Sequence, residues 1–365
     1  MLIDLAPIGH TSVWFARGLF MNRWLVLFLV SSCCLLSAQR KQGSPLEALP
    51  SNIEMLTHFG ERADFSPDNQ RVAFMDKSFG DAFVIDLKTR IIRCLTCNVP
   101  AAAFLRVMHL SNGDYILIGP EKFENTTVSR QRDSELWYLS SKPGSKPVRL
   151  GNRMSEGAAI SKHSMMISFS ETPHDHPELP QNYSRLMIAQ VDLSGPEPKL
   201  INKKKVYESS DDSCILEAQD FYDNDAKMTF TCYVRKASEL APGGLTLARV
   251  MGIDLATGQV TDFSKAPFTY NECEGIFPDG KYTAVEGDRQ VAEFGGNHGP
   301  GNIDLWKLRL DGTGKDFVRM THFNDYDGWK ASNPVISTDG KMMAFQVAHS
   351  ADAAGVGYGV VLYHF

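Results

Sequence analysis

One phrase recurs six times along the chain and constrains its fold more than any other feature. Each copy contains an apolar pair, a turn of the Ser-Pro-Asp-Gly type and an alternating apolar and polar segment. The copies begin at Asp64, His109, Ala159, Asp220, Gly275 and Val335, at a spacing of roughly 45 to 60 residues. Asp, Asn and Gly tolerate the positive φ of tight hairpin turns, so each copy predicts two antiparallel strands. A regular period of this length indicates a repeat fold.

A third strand follows the hairpin in most copies, and a short fourth strand comes next. The third strands begin at Ala82, Ser134, Ser184, Ala248, Asn302 and Tyr358. Four-stranded antiparallel units repeated radially are the blades of a β-propeller. The sequence also lacks long amphipathic helical patterns. We therefore predict an all-β fold, a six-bladed β-propeller of four-stranded antiparallel blades that spans residues 52–365.

The two ends of this predicted propeller share one phrase, MLTHF at Met55–Phe59 and RMTHF at Arg319–Phe323. The last copy stops after its third strand at Phe365, whereas an additional strand at Ile53–Phe59 precedes the first copy. We predict that this N-terminal strand completes the last blade, because pairing the two ends removes an open sheet edge. The alternative is that two unrelated strands look alike.

The region before the repeats is typical of an export signal followed by a linker. Arg23 precedes an apolar run of roughly ten residues that ends in Leu36–Ala38, the arrangement of a secretory signal peptide. We expect cleavage after Ala38, with residues 1–38 as N-terminal extension and signal peptide and residues 39–51 as linker. A lipid-attachment site at Val30–Cys33 is the alternative. The apolar run is shorter than the roughly 20 residues of a membrane span, so we expect a secreted protein without a stable membrane anchor.

Five cysteines follow the predicted cleavage site, so at least one thiol is unpaired. They are Cys94, Cys97, Cys214, Cys232 and Cys273. Cys94 and Cys97 have the spacing of a redox or zinc motif but lie at the end of a predicted strand, which favours a local disulfide or two inert thiols. Asn125 and Asn182 begin Asn-x-Thr/Ser sequences, which are N-glycosylation sites if the host is eukaryotic.

The candidate site follows from the geometry of a propeller, in which the first strand of each blade lines the central channel. Counting back five residues from the turn serine or its equivalent gives Glu61, Arg106, Glu156, Glu217, Glu272 and Ser332. Four carboxylates and one guanidinium would thus share one ring. Buried carboxylates at close range raise one another's pKa, which is a property of acid–base sites. The alternative is a water-filled channel lining without chemical function.

These considerations predict a set of functional residues. Catalytic roles are predicted for Glu156, Glu217, Glu272 and Arg106. Substrate-binding roles are predicted for Glu61, Gln219, Glu274, Asn333, Phe104, Tyr222, Trp329, Lys330 and His298. Polar groups beneath aromatic loops suit a small molecule that is largely apolar with a polar end. No cofactor or metal is predicted, and the oligomeric state is left open. Because the net charge is -6 and no dense basic run extends beyond Lys203–Lys205, nucleic acid is not an expected partner.

The repeated phrase, with its turn, strand and distant Asp-Leu, resembles the TolB-like and WD40-like propeller repeats of exported proteins. The CLTC motif, the stretch NECEGIFPDGKYTAVEGDR and the ending GVGYGVVLYHF resemble a group of exported fungal propellers that includes the hetero-Diels–Alderases of tropolone–sesquiterpenoid pathways. This second resemblance implies loss of water from a benzylic alcohol to an ortho-quinone methide, followed by cycloaddition with an apolar polyene. It concerns the overall layout, and no catalytic motif carries over.

Three functions are therefore considered. The first is the dehydration and cycloaddition, in which a buried glutamate would supply the acid and Arg106 or Lys330 would donate to the quinone oxygen. The second is a non-catalytic TolB-like module that binds a peptide, glycan or partner protein. The third is a metal-assisted lyase or hydrolase of acidic glycans, although a mostly anionic ring would repel uronates unless a divalent ion were bound.

Overall fold

The computed structural model describes residues 38–365 except 211–212, 236–246, 267 and 354. The predicted signal peptide therefore lies, except for Ala38, outside the described residues. The described chain forms six four-stranded antiparallel sheets, a six-bladed β-propeller. This confirms the predicted fold class and number of blades.

The described strands number 24, and each blade runs from an inner strand at the channel to an outer strand. The strand that precedes the first blade is β1 (Ile53–Met55). Blade one contains β2 (Glu61–Phe65), β3 (Arg71–Met75), β4 (Ala82–Asp86) and β5 (Ile92–Cys94). Blade two contains β6 (Arg106–His109), β7 (Tyr115–Pro120), β8 (Ser134–Leu139) and β9 (Val148–Arg153). Blade three contains β10 (Ala158–Ile160), β11 (Met166–Glu171), β12 (Ser184–Asp192) and β13 (Lys199–Ser209).

The remaining blades follow the same order. Blade four contains β14 (Cys214–Tyr222), β15 (Lys227–Val234), β16 (Ala248–Asp254) and β17 (Val260–Asp262). Blade five contains β18 (Asn271–Ile276), β19 (Tyr282–Gly287), β20 (Asp304–Arg309) and β21 (Phe317–Arg319). Blade six contains β22 (Trp329–Ile336), β23 (Met342–His349), β24 (Val360–His364) and β1. Short helical turns occur at Pro45–Glu47, Thr126–Val128, Ser129–Asp133, Val291–Phe294 and Phe323–Asp325.

The hairpin between the first two strands of each blade is closed by the turn that the repeat encodes. In blade one the Ser66 N–H donates to the Arg71 carbonyl at 2.9 Å, and in blade six the Ser337 N–H donates to the Met342 carbonyl at 2.9 Å. Positive φ angles occur at the predicted turn positions Asn69 (56°), Gly113 (85°), Gly280 (64°) and Gly340 (70°). These residue types reach the left-handed region at little cost, which is why the turns recur.

The hydrophobic core is divided among the interfaces between neighbouring blades. Each of the six interfaces contains its own cluster of buried apolar side chains. The cluster between blades six and one, for example, joins Val360 and Leu362 to Phe65, Phe74 and Ile85. Burial of such side chains stabilises the fold by about 1.5–3 kcal/mol each relative to exposure. Every blade is therefore held from both sides only when the ring is closed.

Closure of the ring is provided by the N-terminal strand, as predicted. β1 pairs antiparallel with β24, with Ile53 opposite Tyr363. Beyond β1, the Thr57 hydroxyl accepts the Val360 N–H at 3.0 Å, and in blade five the Thr321 hydroxyl accepts the Leu305 N–H at 2.9 Å. The shared phrase thus places a threonine where the outer strand ends and satisfies one backbone N–H of the third strand.

The segment predicted as a linker packs on blades five and six. The Arg40 guanidinium donates to the Asn324 carbonyl at 2.9 Å and to its side-chain oxygen at 2.8 Å. Leu46 and Leu49 contact the apolar cluster between blades five and six. These contacts fix the direction from which the chain enters β1.

The cysteines form two disulfides, Cys94–Cys97 and Cys214–Cys232, and leave Cys273 as a buried thiol. The two cysteines of the CLTC motif therefore form a local disulfide, which is one of the two alternatives predicted for them. Asn125 and Asn182 are both exposed, and their glycosylation stays a prediction. Among the described residues no helix is both long and apolar enough to cross a membrane.

Candidate active site

The six equivalent inner-strand positions surround one cavity at the start of the inner strands. Its volume is about 440 Å³, and we call it the channel mouth. It is lined by Glu61, Arg106, Glu156, Glu217, Glu272 and Ser332. The structure thus brings together the complete predicted ring. Lys330 and Asn333, predicted to bind substrate, line the same cavity.

Several further side chains that the ring count did not predict also line the channel mouth. They are Arg62, Arg130, Tyr233, Tyr270, Glu286 and Gln346. Glu286 lies on β19 opposite Glu272, and Gln346 lies on β23 opposite Ser332. Both residues lie on the second strand of a blade, directly opposite a predicted ring residue. Including the residues opposite the ring positions in the prediction would have found them.

Arg62 enters the channel mouth because β2 is irregular. The β2–β3 register shifts between Glu61 and Asp64, and Arg62 has a φ of 55°. Its backbone N–H donates to the Gln346 side-chain oxygen at 2.8 Å. β22 shifts in the same way at Asn333, whose φ is 49° and whose N–H donates to the Glu286 carboxylate at 2.5 Å. Such bulges redirect side chains and are common beside functional sites.

One side of the channel mouth is an ion-pair cluster around Glu156. Arg62 Nη2 lies 2.5 Å from Glu156 Oε1, and Arg130 Nε lies 2.8 Å from Glu156 Oε2. Burial alone would raise the pKa of Glu156, but Arg62, Arg130 and Arg106 lower this pKa to about 2. Glu156 is therefore ionised at neutral pH. It cannot serve as the proton donor, a role for which the sequence made it a candidate.

The other side of the channel mouth contains carboxyl groups that hold their protons. Burial, together with the nearby Glu272 and Glu156 carboxylates, raises the pKa of Glu217 to about 8. Burial and the Glu286 carboxylate raise the pKa of Glu272 to about 7. At pH 7 Glu217 is mostly neutral, and Glu272 is divided between its two forms.

Two tyrosines hold the Glu272 carboxyl group in place. The Tyr233 hydroxyl donates to Glu272 Oε1, and the Tyr270 hydroxyl donates to Glu272 Oε2. Burial and the neighbouring glutamates raise the pKa of both tyrosines well above the usual value. These hydroxyls therefore stay neutral, and each can donate or accept when Glu272 changes its protonation state.

Two of the predicted substrate-binding residues lie deeper in the channel. Gln219 and Glu274 line a narrow void of about 60 Å³ below the channel mouth, together with Arg62, Arg106 and Asn333. Burial and the Glu272 and Glu286 carboxylates raise the pKa of Glu274 well above its usual value. One ligand atom each of Glu272, Glu274 and Glu286 lies within 4.8 Å of the others.

Four predicted substrate-binding residues do not reach the channel mouth. Phe104 is buried between blades one and two against Trp137. Tyr222 lines a cavity of about 520 Å³ at the opposite end of the inner strands. The Trp329 ring packs edge-on against His349 and at a tilt against Tyr358, and His298 Nδ1 lies 2.9 Å from Asp288 Oδ2. These four residues therefore do not cover the polar groups of the channel mouth as predicted, because they pack against other strands and loops.

We expect Glu217→Gln to stabilise the fold at pH 8. In the unfolded chain this carboxyl ionises above about pH 4.3, whereas in the folded protein its pKa is about 8. The folded state therefore binds more protons between these values, and stability falls as pH rises. Glutamine does not ionise, so the free energy of unfolding at pH 8 should increase by about 1–3 kcal/mol, with a smaller gain at pH 5.

Urea titrations of both proteins at the two pH values measure this difference. Glu135→Gln is the matched control, because Glu135 is also buried but is paired with Arg149 at 3.0 Å. It should destabilise the fold at pH 8. An equal loss for both variants would show that Glu217 is an ionised partner of Arg106.

The fold has known counterparts among solved structures. The TolB protein of Agrobacterium tumefaciens is 15% identical with a TM-score of 0.48, over 73% of this chain and 77% of that one. The tricorn protease is 12% identical with a TM-score of 0.50, over 82% of this chain and 26% of that one. An oligogalacturonate lyase in complex with manganese is 11% identical with a TM-score of 0.47, over 86% and 93%.

These similarities concern the propeller fold alone and assign no activity to this chain. No family model matches the sequence, and no curated protein matches it. Any function therefore has to be argued from the channel mouth itself.

Proposed function

We propose that the channel mouth is the active site of an enzyme that removes water from a small oxygenated molecule and then promotes a hetero-Diels–Alder cycloaddition. The observation that carries the acid–base part is the pair Glu217 and Glu272, whose pKa values are raised to about 8 and about 7. A general acid is most effective when its pKa lies near the working pH. The cycloaddition part rests on the resemblance to exported fungal propellers.

One carboxyl group can both supply the proton that the dehydration needs and recover a proton afterwards. Glu272 donates its proton to the leaving hydroxyl as the carbon–oxygen bond breaks, and water departs. The Glu272 carboxylate then accepts the proton of the ring hydroxyl as the quinone methide forms, which restores the starting state. Tyr233 and Tyr270 donate to this carboxyl group, and because a hydroxyl can donate or accept, they can hold it in either state. Glu217 supplies a second neutral acid nearby.

The cycloaddition forms one carbon–carbon and one carbon–oxygen bond and moves no proton. It requires mainly that both partners be held together, since restriction of their motion supplies much of the rate. The described lining of the channel mouth is rich in charged groups, with Ile303 and Val356 among its apolar members. These charged groups fit the polar end of a substrate, and Arg106 can donate to a developing oxygen anion.

The proposed function is tested by incubating the mature protein with a hydroxymethyl tropolone and a hydroxylated humulene. We expect faster consumption of the alcohol than in buffer and one dominant adduct stereoisomer on chiral chromatography. Rates and product ratios equal to those in buffer would reject the enzyme. Saturable binding of a ligand without turnover would instead favour the non-catalytic binding module.

A second candidate function, metal-assisted cleavage of an acidic glycan, is favoured by one observation. Glu272, Glu274 and Glu286 are buried and bring one ligand atom each within 4.8 Å of the others, and carboxylate oxygens suit hard divalent cations. Such an ion would lower the pKa of all three groups. Glycan cleavage that is lost with a chelator and regained with a divalent cation would establish this function over the first.

We also propose that the protein is exported and glycosylated. The two disulfides support export, because such bonds persist in oxidising compartments. Mass spectrometry of protein from a culture medium, read for a new N-terminus after Ala38 and for glycans on Asn125 and Asn182, tests both proposals.

A further inference from the structure

We infer that Arg62 and Arg106 form a binding site for the carboxylate, or a similar delocalised oxygen anion, of a small organic molecule at the floor of the channel mouth. This inference rests on the proposed function only in assuming that a ligand uses this mouth. Both arginines line the channel mouth as well as the narrow void beneath it. They therefore lie where the open cavity narrows.

The two guanidinium groups carry buried N–H groups that the described protein does not satisfy. Arg62 Nε and Nη1 and Arg106 Nε have no hydrogen-bond partner. The Arg62 side chain is 9% exposed, and its Nε lies 3.6 Å from Glu61 Oε1, beyond hydrogen-bond distance. Arg106 Nη2 lies 3.7 Å from Glu217 Oε1, also too far for a hydrogen bond. A buried donor without a partner is destabilising, so these N–H groups are available to an acceptor on a ligand.

The charge around Arg106 favours an anionic acceptor. The predicted ring had an excess of carboxylates, but Arg62, Arg130 and Lys330 join Arg106 in the same cavity. Burial and neighbouring carboxylates raise the pKa of Glu217, the carboxyl group beside Arg106, to about 8, so that Glu217 is mostly neutral at pH 7. Of the remaining carboxylates, Glu156 is occupied by Arg62 and Arg130. With Glu217 neutral, the ion pair that it would make with Arg106 is lost, which leaves the charge of Arg106 for an anionic ligand.

The chemistry of the donors narrows the class of ligand. A guanidinium presents its N–H groups in a planar fork that matches two oxygens of one carboxylate. The Tyr233 and Tyr270 side chains line the same cavity, where the body of a small organic anion would lie. The void of about 60 Å³ below the arginines is too small for an organic body, which would remain in the mouth.

The test is a calorimetric titration of the mature protein with benzoate and with benzamide, a neutral molecule of the same shape. At pH 6 we expect benzoate to bind at least tenfold more tightly than benzamide. The affinity for benzoate should fall from pH 6 to pH 9, because Glu217, whose pKa is about 8, ionises beside Arg106. Arg62→Gln should remove the preference, and Arg62→Lys should restore only part of it.

Arg90→Gln is the matched control, because Arg90 is exposed and pairs with Glu54 at 3.0 Å far from the channel; it should bind benzoate as the unmodified protein does. If Arg62→Gln fails to fold, the inference is tested by benzoate binding to Arg106→Gln and by the pH dependence of benzoate binding to the unmodified protein. Equal affinities for benzoate and benzamide, or benzoate binding that survives both arginine variants, would overturn the inference. Binding is measured without turnover, so a failed dehydration assay would leave this result intact, and the converse also holds.

Discussion

Gly359→Ala should open the propeller at its closing blade and destabilise the fold by about 3 kcal/mol or more. Gly359 has a φ of 125°, a region that side-chain-bearing residues rarely adopt. A Cβ at this position would also overlap the carbonyl oxygen of Thr57. Because that carbonyl belongs to the N-terminal segment that closes the ring, relief of the clash requires the closing strand to move away from β24.

The measurement is urea unfolding followed by tryptophan fluorescence, and Gly144→Ala is its matched control. Gly144 also has a positive φ, 79°, but a Cβ there would contact nothing within 4 Å. The control should therefore lose only the backbone preference of glycine, about 1 kcal/mol. Similar losses for both variants would mean that the contact between Gly359 and Thr57 does not limit stability.

The number of blades and their closure could be predicted because both depend on periodic features of the sequence. Five of the six hairpins have a turn residue with positive φ, and Asn69, Gly113, Gly280 and Gly340 mark four of them directly. The ring of Glu61, Glu156, Glu217 and Glu272 followed from the same period, since equivalent residues of a radial repeat must face one axis.

The parts of the site that escaped prediction depend on departures from that period. Arg62 lines the channel mouth through a bulge in β2, and no pattern in the repeat marks such an irregularity. Arg130 belongs to the connection between β7 and β8, which has no counterpart at a fixed repeat position. The positions of Phe104 and Trp329 escape prediction for a related reason. Both residues are close to the ring in sequence, but packing between blades decides where a large side chain is buried.

The same groups that make the channel mouth chemically capable also weaken the fold. The buried nitrogens of Arg62 and Arg106 that have no partner oppose folding, and so do the carboxyl groups with raised pKa values. The six apolar interfaces between blades supply the stability that offsets this opposition. Such a combination is typical of a functional site on a stable scaffold.

Glu272→Gln should lower kcat for the dehydration by about 10²–10⁴-fold while leaving the protein folded. Glutamine keeps the size of the side chain and can still accept from Tyr233 or Tyr270, but it has no acidic proton to give to the leaving hydroxyl. In the unmodified enzyme the rate should fall as pH rises through about 7 to 8, because the acid forms of Glu272 and then Glu217 are lost.

The pH–rate profile of the variant separates an acid from a positioning group. If Glu272 is the acid, the residual rate of Glu272→Gln should lose the decline near pH 7 and keep only the later one that belongs to Glu217. Glu135→Gln, which removes a buried carboxylate from the Arg149 pair outside the channel mouth, should keep the unmodified profile. If Glu272→Gln leaves kcat and the decline of the rate near pH 7 unchanged, the proton must come from another group. Glu272 would then only line the channel.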